Sequence, residues 1–282
     1  MTKNILSEIL DRKRRTIAQL HADPSSRDLR ERALRIRKDA NPHRLVQALE
    51  SDSKRSKIIA EFKRRSPSAG IIRDDLTVNE IVRCYERGGA CAISVLTDEE
   101  YFAGSIADLC AARSSTTLPL LCKDFIIDPM QVFEAAIAGA DAVLLIAAAL
   151  DEMSLAELRT LAENELGLDA LVEVHNSEEL NRALNARAKI IGVNNRDLRT
   201  FQVSLNTSQR LIAEAPRGKI MVSESGLQSA ESLVRLRELG FRAFLIGEVL
   251  MRAADPAAAL RDLLTAAEHQ QSTSVSTGAP PS

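Results

Sequence analysis

Tryptophan is absent from the 282 residues, and Phe, Tyr and Trp together make up 3% of them. That shortage argues against an aromatic-rich binding module and for helices packed on aliphatic strands, since Ala, Leu and Ile must fill the core. A dominant charge is also missing. Thirty-seven basic residues against 39 acidic ones give a formal charge of −2, and the pI is near 6.2, so nothing draws nucleic acid or an anionic membrane to the chain as a whole. Any anion it binds must be held by local charge. Cys84, Cys91, Cys110 and Cys122 form no C-x-x-C pair. His21, His43, His175 and His269 are equally scattered, which leaves no zinc or iron–sulfur pattern and no expected metal. Cys91 and Cys122 lie in apolar runs and read as small core residues. The longest apolar run, Ala142 to Leu150, is about half a membrane span. Met1-Thr-Lys-Asn carries no charged-then-apolar signal pattern. The expectation is a cytoplasmic protein with reduced thiols and neither a membrane nor a nucleic-acid partner.

What is present is alternation. Short β-rich runs begin at Ile58, Cys91, Leu118, Ala142, Asp169, Ile190, Lys219 and Ala243. Helical stretches follow them: Val78 to Arg87, Ile106 to Arg113, Pro129 to Gly139, Ser154 to Glu165, Ser177 to Asn185, Leu205 to Ala213, Ala230 to Leu239 and Pro256 to Ala267. Proline at a first turn and glycine after a last one mark several ends, and Ser154 with Glu157 reads as a capping box. Eight strand–helix units with parallel strands predict a (β/α)₈ barrel. A doubly wound sheet would usually carry fewer strands and a glycine-rich first turn, which Arg64-Arg-Ser-Pro-Ser68 is not. Residues 1–56 read as an N-terminal helical extension capping the barrel, residues 57–269 as the barrel, and residues 270–282 as a disordered tail too polar to offset its ordering entropy. Two basic runs in the extension, Lys13-Arg-Arg15 and Arg35-Ile-Arg-Lys38, read as solvated helix faces.

In such a barrel the reactive groups come from the C-terminal ends of the strands. The first strand ends with Glu61 and Lys63, two residues apart and therefore on one face. The third ends at Lys123, the fifth carries Glu173 between valines, and the sixth runs into Asn194-Asn-Arg196. One mouth thus gathers two carboxylates, two lysines, an arginine and an asparagine. The last two strands add Ser223-Glu-Ser-Gly226 and Leu245-Ile-Gly-Glu248, where glycines allow close backbone approach and loops of this fold cradle phosphate. Ser225, Gly226 and Gly247 are the phosphate candidates, with Ser66 reaching from the first loop.

These segments, Ile59-Ala-Glu-Phe-Lys-Arg-Arg-Ser-Pro-Ser68, Leu121-Cys-Lys-Asp-Phe125, Leu171-Val-Glu-Val-His175, Gly192-Val-Asn-Asn-Arg-Asp-Leu198, Val222-Ser-Glu-Ser-Gly226 and Leu245-Ile-Gly-Glu248, resemble the motifs of the indole-3-glycerol phosphate synthase family. The resemblance implies conversion of 1-(2-carboxyphenylamino)-1-deoxyribulose 5-phosphate to indole-3-glycerol phosphate with loss of carbon dioxide and water, without a cofactor. It also implies that the N-terminal helices help close the mouth over this phosphorylated substrate. Lys123 is the first choice for general acid, with Lys63 close enough to share or exchange that role, and Glu173 is the base of the dehydration, while Glu61 keeps lysine and substrate hydroxyl in register. Lys63 is expected to pair with the substrate carboxylate, Asn194 to bind a hydroxyl, and Arg196 to grip the carboxylate in a two-point fork. Some family members carry a phosphate-donating serine where this chain has Glu248. An ionised carboxylate cannot donate, so only the Glu248 backbone N–H serves phosphate. Arg64 and Arg65 are left as solvated or helix-packing residues. The oligomeric expectation is a monomer or weak homo-oligomer. The alternatives are phosphoribosylanthranilate isomerase, which would need a cysteine–aspartate pair where Glu61 and Lys63 stand, and a non-catalytic sugar-phosphate-binding barrel, which would lack one of the charges.

Overall fold

The aliphatic runs close, in the computed structural model, into a barrel of eight parallel strands, and the chain is a (β/α)₈ TIM barrel with N-terminal helices. The structure describes residues 5–52, 56–197 and 200–276. Residues 1–4, Leu198 and the tail from residue 277 on, all touched by the sequence reading, lie outside the described residues. The barrel strands are β1 (Lys57–Phe62), β2 (Ala92–Leu96), β3 (Leu120–Lys123), β4 (Ala142–Ile146), β5 (Asp169–Val174), β6 (Ile190–Asn194), β7 (Ile220–Glu224) and β8 (Ala243–Ile246). Closure comes from β8 pairing with β1, Lys57 opposite Ala243 and Ala60 opposite Ile246.

A strand's period of two then sorts each run into two cores. Ile58, Ala60 and Phe62 of β1 point outward into the layer shared with Val82 and Tyr85. Ile59, Leu121, Leu171, Val222 and Leu245 point inward and fill the barrel. The same parity carries Glu61 and Lys63, two and four residues beyond Ile59, to the inside of the C-terminal mouth.

Among the described residues three α-helices precede β1: α1 (Ile5–Ala22), α2 (Leu29–Arg37) and α3 (Arg44–Glu50). They serve both ends of the barrel. Leu45, Val46 and Leu49 of α3 join the interior core, and the Val46 N–H donates to Asp169 at the start of β5, 2.9 Å away. At the other end Ile5, Leu6 and Ile9 of α1 line the mouth. The basic runs are more than solvated faces. Lys13 is half-buried between Asp124 at 2.5 Å and Asp98 at 3.1 Å, and Arg37 donates to the carbonyls of Leu166 and Gly167. Burial opposes the Lys13 charge, but Asp124 and Asp98 outweigh it and hold the ammonium above its usual value.

Other boundaries moved for identifiable reasons. Pro119 has no N–H to give, so β3 begins at Leu120 rather than Leu118. The helix expected from Ser154 starts at Glu152, because the Asp151 carboxylate accepts from the Ser154 N–H at 2.7 Å and takes the capping role. That helix ends in a π turn, Leu161–Glu165. The last helix runs on from Pro256 to Ser276, past the point at which a structureless tail was expected, since each residue added to an existing helix brings its own hydrogen bond. Arg64 grips Asp108 with two bonds of 2.7 Å and donates to the Ala103 carbonyl, tying the loop after β1 to the helix Ile106–Arg113.

The N-terminal end of the barrel is locked by one carboxylate. Asp141, 3% exposed, accepts from Arg44 at 2.9 Å, Arg113 at 2.9 Å and the Leu120 N–H at 3.0 Å. Asp141→Ala would strand two guanidinium groups, and the expected cost is about 3–5 kcal/mol in urea unfolding. Because Asp141 is at the end opposite the mouth, kcat of the folded fraction should stay near wild type; a loss under about 1 kcal/mol would show that the arginines are not held by this residue.

Candidate active site

The strand ends converge on a cavity of about 610 Å³ at the C-terminal mouth. All eleven residues singled out in the sequence, Glu61, Lys63, Ser66, Lys123, Glu173, Asn194, Arg196, Ser225, Gly226, Gly247 and Glu248, line it. Its centre is a network of charge. Lys123 Nζ lies 3.2 Å from Glu173 Oε2 and 3.1 Å from Glu224 Oε2. Lys63 Nζ is 2.6 Å from Glu61 Oε1. Asn194 Nδ2 donates to Glu173 Oε1 at 3.2 Å. Each of these side chains follows an inward-facing aliphatic residue by two or four positions.

Close packing of the network depends on two glycines. A Cβ on Gly192 would stand 2.1 Å from Glu224 Oε1, and one on Gly247 would stand 2.5 Å from Glu61 Oε1. The barrel interior therefore has room for these carboxylates only where β6 and the end of β8 present no side chain.

Burial penalises every charge here, and the partners decide the outcome. Desolvation works against the Lys123 ammonium, but Glu224, Glu173 and Glu61 overcome it and hold the amine well above the usual lysine value. Burial likewise raises Glu173, yet Lys123, His175 and Asn194 pull it well below the carboxylate range. Glu61 also ends lower than usual, through Lys63 and Lys123. Glu224 goes the other way. Burial, with Glu173 and Glu61 adding to it against the pull of Lys123, pushes its carboxyl up to about 7. Neutral pH therefore finds Lys123 charged and Glu173 ionised, with Glu224 the carboxyl of the three that protonates most readily.

Around this centre the wall changes character. Ile5, Leu6, Phe102, Phe125, Leu144 and Ile146 make an apolar side suited to an aromatic ring, with Phe102 and Phe125 6.3 Å apart at 35°. On another side stand Ser66, Ser225, Gly226 and Gly247. The Ser66 hydroxyl accepts from the Ala69 N–H at 3.2 Å. Ser225 and Gly226 both have positive φ, 66° and 77°, and a Cβ on Gly226 would meet Val203 at 2.5 Å. Arg196 donates to Ser68 Oγ at 3.1 Å and the Phe201 carbonyl at 3.3 Å, with Glu248 4.0 Å away. The Glu248 carboxylate is held by Arg252 at 3.1 Å, which leaves its backbone N–H as the group free of this pairing.

Two residues the sequence reading quoted without a task belong here. Glu224 shares the parity of Val222, so the alternation that found Glu61 and Lys63 could have found it. His175 follows Glu173 at the same spacing and meets it at 3.4 Å. That the N-terminal helices would cover the mouth came only from the family resemblance, since nothing in the amphipathic pattern of α1 itself says which end of a barrel it will cover.

A charged mouth of this composition on a (β/α)₈ scaffold defines the class: a barrel enzyme equipped for acid–base chemistry on a small substrate. The particular family follows from comparison with known proteins. The chain matches the family model for indole-3-glycerol phosphate synthase over residues 6–263 and belongs to that family. It is 44% identical over 262 residues to an indole-3-glycerol phosphate synthase of Aromatoleum aromaticum, covering 92% of this chain and 98% of the relative. It is 46% identical over 224 residues to one from Polynucleobacter asymbioticus, covering 79% and 84%. Among solved structures, thiamine phosphate pyrophosphorylase from Pyrococcus furiosus superposes with a TM-score of 0.58 at 18% identity, covering 77% of this chain and 97% of that one, a likeness of fold alone. Among the described residues no helix is long and apolar enough to cross a membrane.

The raised Glu224 carboxyl gives a stability prediction. Its folded value of about 7 exceeds the ordinary glutamate value of 4.5, so it disfavours the folded state increasingly as pH climbs through that window. Glu224→Gln removes this penalty. The variant's melting temperature relative to wild type should improve from pH 5 to pH 8; a constant difference would mean that Glu224 titrates normally.

Proposed function

We propose that this chain, an indole-3-glycerol phosphate synthase by family, closes the indole ring with Lys123 as general acid and Glu173 as base. The observation that carries this is a single buried ammonium poised between Glu173 and Glu224 at the centre of the cavity.

The substrate's aryl ring lies on the apolar wall and its phosphate among Ser66, Ser225, Gly226, Gly247 and the Glu248 N–H. The ring carbon that bears the carboxylate attacks the ketone. A carbon–carbon bond forms, the carbonyl pair moves to oxygen, and Lys123 delivers a proton to the developing alkoxide, which its charge also stabilises. The bond to the carboxylate then breaks, its electron pair restores aromaticity, and carbon dioxide leaves. In the last step the anilino nitrogen expels the new hydroxyl, which departs as water after protonation, and Glu173 removes a proton from the adjacent methylene carbon. Two protons are given and one is taken, so each turnover consumes one proton. Glu224, the carboxyl that protonates most readily and 3.1 Å from Lys123, is placed to replenish the lysine.

Lys63 and Arg196 hold the substrate carboxylate, Asn194 binds a hydroxyl, and Glu61 fixes Lys63 at 2.6 Å. Binding the aryl ring and the sugar phosphate on separate walls places the attacking carbon over the ketone, which removes much of the entropic barrier to cyclisation. The isomerase alternative would require a reactive thiol. Cys122 faces outward into the helix layer, and burial pushes it and Cys91 up to about 12. A non-catalytic barrel would have lost one of the charges, and all are present.

The direct test adds the carboxyphenylamino-deoxyribulose phosphate to purified protein and follows indole fluorescence. Lys123→Ala should lower kcat by roughly a hundredfold or more with KM nearly unchanged; turnover close to wild type would eliminate Lys123 as the acid. Arg196→Ala should act instead through binding, raising KM by about tenfold or more. An unchanged KM would remove Arg196 from the carboxylate site.

A further inference from the structure

His175 lies just outside the cavity, behind Glu173 rather than among the lining residues. Its side chain is 13% exposed, and two carboxylates flank it. Nε2 is 3.4 Å from Glu173 Oε1, and Nδ1 is 2.9 Å from Glu179 Oε2. The second carboxylate is itself immobilised. Glu179 accepts from the His175 N–H at 2.7 Å and from Asn176 Nδ2 at 2.7 Å, and its own N–H donates to Asn176 Oδ1 at 2.9 Å. The first turn of the helix Ser177–Asn185 thus fixes Glu179, and Glu179 fixes the plane of the imidazole.

We infer that His175, clamped by Glu179, is a positioning residue whose fixed charge beside Oε1 holds Glu173 ionised for its role as base, a conclusion that rests on the reading of Glu173 given above. Three groups meet the Glu173 carboxylate. Lys123 takes Oε2 at 3.2 Å and Asn194 donates to Oε1 at 3.2 Å, while His175 Nε2 stands 3.4 Å from Oε1 as an ion-pair partner without hydrogen-bond alignment. Lys123 gives up a proton during the reaction, and its hold on Glu173 weakens when it does. Asn194 is neutral. His175 supplies the positive charge that persists through that moment, so Glu173 stays a carboxylate when the methylene proton must be taken. The charged groups that face the imidazole are Glu173 on β5, the strand that ends just before it, and Glu179 on the following helix. Burial opposes the imidazolium, yet these two raise it to about 10.

The arrangement is read most directly from the histidine itself, without turnover. Nitrogen-15 spectra of the wild-type protein at pH 8 should show both His175 ring nitrogens protonated, and Glu179→Gln should lower the midpoint of that signal by about a unit or more. A neutral ring at pH 8 in the wild type overturns the inference, as does a midpoint unmoved in Glu179→Gln. In turnover, His175→Asn should lower kcat by roughly tenfold or more while KM stays within about twofold. A folded His175→Asn with wild-type kcat also overturns it. Glu173→Gln separates this outcome from failure of the underlying reading. If that variant is inactive while His175→Asn is normal, Glu173 is the base and His175 does not position it. Should Glu173→Gln turn over normally, both ideas fall together.

Discussion

The structure depends on the burial of one ammonium, Lys123, in the mouth of a barrel where water is displaced by aliphatic walls. An unpaired charge there would cost several kcal/mol, so carboxylates must accompany it. Three do, and they are not equivalent. Glu173, with Asn194 and His175 on its far oxygen, is driven down; Glu224, with neither, is driven up to about 7. Similar side chains around one cation are thus driven apart, one toward the ionised form and one toward the protonated form, and the separation comes from neighbours rather than from residue type.

Holding the groups this close places demands on the scaffold. The parallel register puts Glu224 beside Asn194 and Glu173 beside Gly192, and the missing side chain at Gly192 is what admits Glu224. The N-terminal segment contributes at both ends. Beneath the barrel, α3 is tied to the first residues of β4 and β5 through Asp141 and Asp169. Above it, α1 supplies an apolar wall, and Lys13 binds Asp124, the residue after Lys123. Lys123 is therefore followed in sequence by a residue that anchors α1, so the helix over the mouth and the buried lysine are held through adjacent positions of one strand end.

Much of this was legible beforehand, and for one physical reason. Strand parity and the rule that barrel chemistry sits at strand ends located Glu61, Lys63, Lys123, Glu173, Asn194 and Arg196 from spacing alone, and the eight-unit alternation set the fold. What stayed hidden depends on contacts distant in sequence. Lys13 looked like one of a run of solvated cations, because its partners Asp98 and Asp124 come from loops after β2 and β3. Glu224 had the right parity, but its value depends on Gly192 and Lys123, far away along the chain. Asp151, three residues before the serine expected to cap its helix, shows the usual uncertainty of helix ends, where neighbouring Asp and Ser compete for the same N–H groups.

The central claim, that Lys123 protonates the forming alkoxide, is tested most directly by a crystal structure with the substrate's ketone reduced to an alcohol, which stands in for that oxygen. The account predicts Lys123 Nζ within about 2.7–3.2 Å of the alcohol oxygen, with Glu173 facing the adjacent methylene carbon. An alcohol bound instead by Lys63, with Lys123 still occupied by Glu173 and Glu224, would contradict it.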